Sequence, residues 1–196
     1  MTNCYFAINE DTKETLIIDP ADKADMLKQK INKEGLKPVG VLLTHGHFDH
    51  ILAASEIADS FQIPVYASQD EKELLETPSL NLSTSLGKNI SLSPTNLLKD
   101  KDIIRIAGTE ITVIHTPGHT GGGVCYLFKE NKILFSGDTL FEGTVGRADL
   151  PTGNLNTLLD SVNRKLMTLP DDITVFPGHG ESTTIGHERN TNPYVS

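Results

Sequence analysis

Cysteine is scarce in this chain: among 196 residues there are only Cys4 and Cys125. Two cysteines cannot build a disulfide framework, which excludes a small cross-linked secreted fold and leaves two reduced thiols packed as small apolar residues. Basic residues are also in deficit, with 17 Lys and Arg against 26 Asp and Glu for a net charge of -9. Such a chain lacks the positive footprint that phosphate backbones attract, so no nucleic-acid partner is expected. No apolar run approaches the roughly 20 residues of a membrane span, so no membrane role is expected either. The opening "MTNCYFAINEDT" has neither a basic region nor a long apolar core, so it is not a secretory signal, and the expected location is cytoplasmic. Hydrophobic residues at 37% and charged residues at 22% exclude disorder. The length suits one domain, residues 1–196.

What is present reads as strands punctuated by helices. "NCYFAIN" and "ETLIID" form a hairpin across the polar turn "EDTK", and "ADKADMLKQKINKEG" has helical spacing that ends at Gly35. "PVGVLLT" is a continuous apolar run, as in a strand covered on both faces. A helix from Ile51 to Gln62, a strand "IPVYAS" and a short charged helix "QDEKELLE" follow. The segment Pro78–Pro94, rich in Ser and Asn, reads as a long surface excursion, either an apolar lid or a packing segment for the outer helices. Hairpins around Gly108 and around "KENK", an amphipathic helix over 154–169, a strand "ITVFPGHG" and a short tail complete the chain. Strand–helix units mixed with hairpins predict a layered α/β domain.

The chemistry concentrates in "VLLTHGHFDHI", Val41–Ile51. Residues two apart in an extended segment point the same way, so His45 and His47 can face one ion. Asp49 and His50 follow as the chain turns into a helix, and would face a neighbouring position; taken alone, Asp49 could instead cap that helix. Three further residues, His119 in "HTPGHTGGG", Asp138 in "ILFSGDTLF" and His179 in "TVFPGHG", each follow an apolar strand into a glycine-rich turn. Together the set reads as a metal centre. Imidazole and carboxylate donors suit zinc, iron or manganese.

This set, "THGHFDH" followed by His119, Asp138 and His179, resembles the metallo-β-lactamase fold superfamily, from "IIDP" near the start to "PGHG" near the end. The resemblance implies an αββα sandwich with the site at one edge. It implies two divalent metal ions, with zinc favoured: His45, His47 and His119 on the first, Asp49, His50 and His179 on the second, and Asp138 bridging. Asp49 stands where flavodiiron members carry glutamate, which argues against an oxygen-reducing role.

"FSGDTLFEGTVGRADLPTGN" and "HGESTTIGHERNTNPY" are similar to glyoxalase II-type hydrolases, in particular their short single-domain relatives. Seventeen residues follow His179, so the helical glutathione-binding domain of the two-domain enzymes is not expected. The implied reaction is hydrolysis of a small-molecule thioester such as S-lactoylglutathione by a metal-bridging hydroxide, with Asp138 as the shared carboxylate and Asp49 able to take or pass a proton. A thiol of pKa about 8.5 leaves without a dedicated general acid. The alternative is a persulfide dioxygenase using one iron on His45, His119 and Asp138, which "HTPGHT" and the Gly146, Arg147, Asp149 element also resemble. An RNA-processing nuclease of the same fold would need a basic surface, and a non-catalytic relative would have lost ligands.

Other polar residues take lesser roles. Arg147 and Asp149 read as a local pair ordering the loop after Asp138, with substrate-anion binding by Arg147 as the functional alternative. His115 reads as a residue orienting a ligand, His187 as a surface residue, and Asp19 as a turn-forming or ligand-orienting carboxylate.

Overall fold

Parallel and antiparallel runs assemble into two facing sheets in the computed structural model, which describes residues 1–195. The first half of the chain supplies β1 (Tyr5–Ile8), β2 (Glu14–Ile18), β3 (Lys37–Leu42), β4 (Val65–Ser68) and β5 (Asn96–Leu98), ordered β1-β2-β3-β4-β5. Its helices are α1 (Ala24–Glu34), α2 (Phe48–Ile51), α3 (Ala54–Phe61) and α4 (Lys72–Glu76). The second half supplies β6 (Ile103–Ile106), β7 (Thr109–His115), β8 (Val124–Phe128), β9 (Ile133–Gly137) and the small hairpin β10 (Leu140–Phe141) and β11 (Thr144–Val145). After α5 (Leu155–Arg164) come β12 (Thr174–Pro177), β13 (Thr183–Thr184) and α6 (Ile185–Thr191). The second sheet runs β13-β12-β9-β8-β7-β6.

Period-two alternation explains why both sheets are buried on two faces. Leu16, Ile18 and Leu42 turn inward to meet Ile111, Val113, Tyr126 and Phe135 between the sheets. Their neighbours Ile17, Val41 and Leu43 turn outward onto Ile31 of α1, Ile57 of α3 and Leu75 of α4. On the far side Cys125, Leu127 and Leu134 face Leu158 and Val162 of α5 and Ile185 of α6. Three apolar layers between helix, sheet, sheet and helix make the αββα sandwich. The Tyr126 hydroxyl crosses the middle layer to donate to the Leu43 carbonyl at 2.7 Å. Helix α5 starts where Asn154 accepts from the Thr157 amide at 3.0 Å, a cap worth about 1 kcal/mol.

Several segments differ from the sequence expectation, and the helix expected over 51–62 is two, α2 and α3. The "short tail" is a strand and a helix, because the Thr184 side chain caps α6 and Ile185 and Glu188 are buried beneath it. A fifth strand, β5, follows the Pro78–Pro94 excursion and closes the first sheet. The excursion itself holds a 3₁₀ turn at Ser83–Leu86; Leu92 packs in the outer helical layer while Leu86 stays exposed. No helix among the described residues is long and apolar enough to cross a membrane.

Candidate metal centre

Register brings the polar residues to one edge. In the parallel pair β2–β3, Ile18 lies opposite Leu42, so Asp19 and the loop Thr44–His50 leave the sheet together. In the parallel pair β9–β12, Pro177 lies opposite Gly137, so Asp138 and His179 emerge from adjacent strands. Strand β7 ends at His115, and a turn closed by Thr116 N donating to Gly123 O at 2.8 Å presents His119. Glycine is required at two of these exits. Gly137 sits at φ +50°, where a side chain would be strained and would strike Thr44. A Cβ on Gly178 would collide with Asp138 Oδ1 and lie 2.6 Å from His50 Cε1.

All seven sequence-predicted residues converge. The donor atoms of His45, His47 and His119 lie within 4.8 Å of one another, and so do those of Asp49, His50 and His179. Asp138 stands between the groups: its Oδ1 is 3.4 Å from His50 Nε2, and its Oδ2 is 3.6 Å from His119 Nε2 and 3.4 Å from His179 Nε2. Asp49 Oδ2 is 3.3 Å from His179 Nε2. Asp49 lies in the first turn of α2 and caps nothing; His47 occupies the cap position.

Outer partners orient the rings. His50 Nδ1 donates to Asp19 at 2.9 Å, His119 Nδ1 to the Arg147 carbonyl at 2.7 Å, and His179 Nδ1 to the Met1 carbonyl at 3.1 Å. Because these acceptors carry no proton, each ring turns its Nε2 inward. Asp19 is itself fixed by the Thr44 amide at 2.8 Å and hydroxyl at 2.6 Å. His47 is turned the other way, with Nδ1 2.9 Å from His119 Nε2. His45 Nε2, His50 Nε2 and Asp138 Oδ1 are buried without a hydrogen-bond partner. Buried polar atoms are seldom left so, and inward lone pairs of imidazole and carboxylate are a donor set that fits divalent cations.

The protein groups alone polarise the two halves differently. Burial, with help from the neighbouring histidines, holds His45 well below the usual imidazole range and His47 down at about 3; burial also lowers His119. Burial acts the same way on His50 but is outweighed by Asp138 and Asp19, which raise it well above 6.5. Hydrogen bonds to Asp138 and then Asp49 raise His179 to about 10. Burial would raise both carboxylates; His50 and His179 override it for Asp138, and His179, His50 and Thr2 for Asp49, so both stay ionised.

One buried carboxylate escaped the sequence reading. Glu71, 1% exposed, accepts from the Gly46 amide at 2.9 Å and the Gly122 amide at 2.8 Å, so it clamps the loop of His45 and His47 to the loop of His119. Its only sequence signal, a charge in "QDEKELLE", belongs equally to a solvated helix face. Arg147 is exposed and held by Asp149 through two contacts of 2.7 Å, and its contribution inside the site is its carbonyl on His119. His115 lies behind the glycine loop, with Nε2 3.2 Å from the Gly121 carbonyl, and His187 is exposed. The Pro78–Pro94 excursion reaches the site through the Asn81 carbonyl, which accepts from the Phe48 amide at 2.9 Å.

Known proteins resemble this chain in sequence and in fold. The metallo-beta-lactamase superfamily profile matches residues 1–179. The chain is 41% identical to the probable metallo-hydrolase YqgX of Bacillus subtilis, over 99% of this chain and 92% of that one. It is 36% identical to the hydroxyacylglutathione hydrolase GloC of Haemophilus influenzae, again over 99% and 92%. Among solved structures, BLEG-1 B3 metallo-beta-lactamase superposes with a TM-score of 0.94 at 42% identity, covering 98% of this chain and 93% of that one. TTHA1623 in a di-iron-bound form gives 0.87 at 35% identity, covering 99% and 95%. ETHE1 from Myxococcus xanthus gives 0.81 at 29% identity, covering 98% and 78%. With the αββα sandwich, the five strand ends and their histidine and aspartate cargo all in place, this chain belongs to the metallo-beta-lactamase superfamily, whose members bind divalent metals.

Proposed function

We propose that this protein is a binuclear metal-dependent hydrolase of small-molecule thioesters such as S-lactoylglutathione. The observation that carries the reading is Asp138, whose carboxylate lies within 3.6 Å of donors from both groups: Oδ2 beside His119 of one and His179 of the other, and Oδ1 beside His50. His45, His47 and His119 would hold one cation, Asp49, His50 and His179 the other, and Asp138 would be shared. Zinc is our assignment; the same donors accept iron or manganese. When bound, such a pair supplies a water acidified toward neutral pH and a Lewis acid for an acyl carbonyl.

The chain's own groups prepare that chemistry. Asp19, Arg147 and Met1 fix three ring tautomers, so the inward nitrogens need no reorganisation. Asp49, one-third exposed, is held ionised as a ligand by His179, His50 and Thr2, and the proton-passing role we assign it rests on its open side alone. With cations bound, the inward nitrogens would be occupied and would carry no proton to give a leaving group. That suits a thioester, because a thiolate leaves without a proton donor, whereas an amide nitrogen needs one. The hydroxyacylglutathione hydrolase among the relatives supports the same substrate class. Arg147 orders the loop through Asp149; binding a substrate anion would require that pair to open.

Purified protein reconstituted with zinc, iron or manganese, assayed in parallel for lactoylglutathione hydrolysis, β-lactam hydrolysis and oxygen uptake with glutathione persulfide, tests the reading. Thioester cleavage without oxygen uptake is expected. Oxygen uptake with a single iron per chain would favour persulfide oxidation on His45, His119 and Asp138 instead. β-Lactam turnover exceeding thioester turnover would overturn the substrate class.

A further inference from the structure

The two donor groups are built from different materials. His45, His47 and His119 are 2%, 3% and 4% exposed and lie wholly within the sandwich edge. In the other group His50 is buried, but the side chains of Asp49 and His179 are 33% and 34% exposed. Both of these half-open ligands are held by the first two residues of the chain. The Thr2 hydroxyl donates to Asp49 Oδ2 at 2.7 Å, and the Met1 carbonyl accepts from His179 Nδ1 at 3.1 Å.

The segment is laced to the loop that carries His179. Asn3 donates its amide to the Gly178 carbonyl at 2.7 Å, and its side chain reaches the carbonyls of Pro177 at 3.1 Å and Gly180 at 3.0 Å. The Tyr5 hydroxyl adds a bond to the Pro177 carbonyl at 2.7 Å. Carbonyls on both sides of His179 are therefore tied to residues more than 170 positions away. These bonds do for Asp49 and His179 what Thr44, Asp19 and the Arg147 carbonyl do inside the fold for His45, His50 and His119.

Resting on the two-cation reading above, we infer that Thr2 and the Met1–Asn3 strap are positioning elements of the second cation site alone, and that they set whether the second cation is retained. A hydroxyl on one carboxylate oxygen restrains the Asp49 side chain. A carbonyl on Nδ1 fixes the tautomer that turns His179 Nε2 inward. Loss of such an outer partner weakens metal affinity by about 10- to 100-fold. Here the weakening falls on one step of two, because no strap residue contacts the first group.

Cobalt(II) titration of the full chain, read by visible absorption, with cobalt per chain counted after dialysis, separates the steps. Thr2→Val keeps the shape and removes the donor. The expected result is an unchanged first step, a second step at least about tenfold weaker, and cobalt per chain falling from two toward one; Thr2→Ser restores both. Asn3→Ala, which loosens the strap without touching a ligand, weakens the second step in the same sense. A second step as tight in Thr2→Val as in the parent overturns the inference, as does equal weakening of both steps or no rescue by serine. A single step in the unaltered protein overturns the two-cation reading itself and takes this inference with it, a result visible before any variant is made.

Discussion

Asp138 Oδ1 and His50 Nε2 lie 3.4 Å apart, both buried and neither in a hydrogen bond. Gly178 packs against both, which is why no larger residue fits the "PGHG" turn.

Gly178→Ala therefore acts on the site before the fold. Its methyl would press on Asp138 Oδ1 and His50 Cε1, so cation binding should fall by more than about 100-fold. Global stability should fall by about 1–3 kcal/mol, the range for overpacking. Elemental analysis beside urea unfolding checks this; full cation content in the variant would show that the turn is not fitted to the ligands.

Glu71 gives a pH signature. Burial raises its carboxyl to about 7, opposed by the Gly46 and Gly122 amides. The folded carboxyl thus keeps a proton that the unfolded chain has lost between about 4.5 and 7. Its stabilising contribution is full below about 4.5 and fades as pH rises through about 7. Glu71→Gln should cost about 2 kcal/mol, because the amide nitrogen must face one main-chain N–H. It should also remove this share of the decline between pH 5 and 8. Unfolding free energies across that range, with an unchanged slope in the variant, would refute the assignment.

Cation uptake should release protons unevenly. His45, His47 and His119 are depressed and bind cations without losing a proton at pH 7, whereas His50 and His179 are raised and must give theirs up. The second step should release nearly two protons and tighten with pH until about 10; the first should release almost none. Calorimetry in buffers of different ionisation heat measures both. Equal release in the two steps would contradict the polarity described for the site.

The seven convergent residues were legible because five stand beside a glycine after an apolar strand, and Asp49 and His50 follow within the same "HGHFDH" run, all of them local features. The parallel register that makes Asp138 and His179 neighbours, Gly137 opposite Pro177, spans forty residues and leaves no local mark. Glu71 and Thr2 were not legible for the same reason: their partners lie 25 to 51 and 47 positions away. The C-terminal helix was hidden because its inward positions include Glu188, whose carboxylate is satisfied by the Gly143 amide and Thr183 hydroxyl, so the apolar period is broken. Strand β5 has only three residues, too few for alternation to register.

The decisive measurement is the number of divalent cations per chain in active protein, made with and without Asp138→Ala. Two cations should accompany thioester hydrolysis in the parent, and the variant should retain at most one and lose at least about a thousandfold in kcat/KM. Two firmly held cations and undiminished turnover in Asp138→Ala would show that this carboxylate joins nothing.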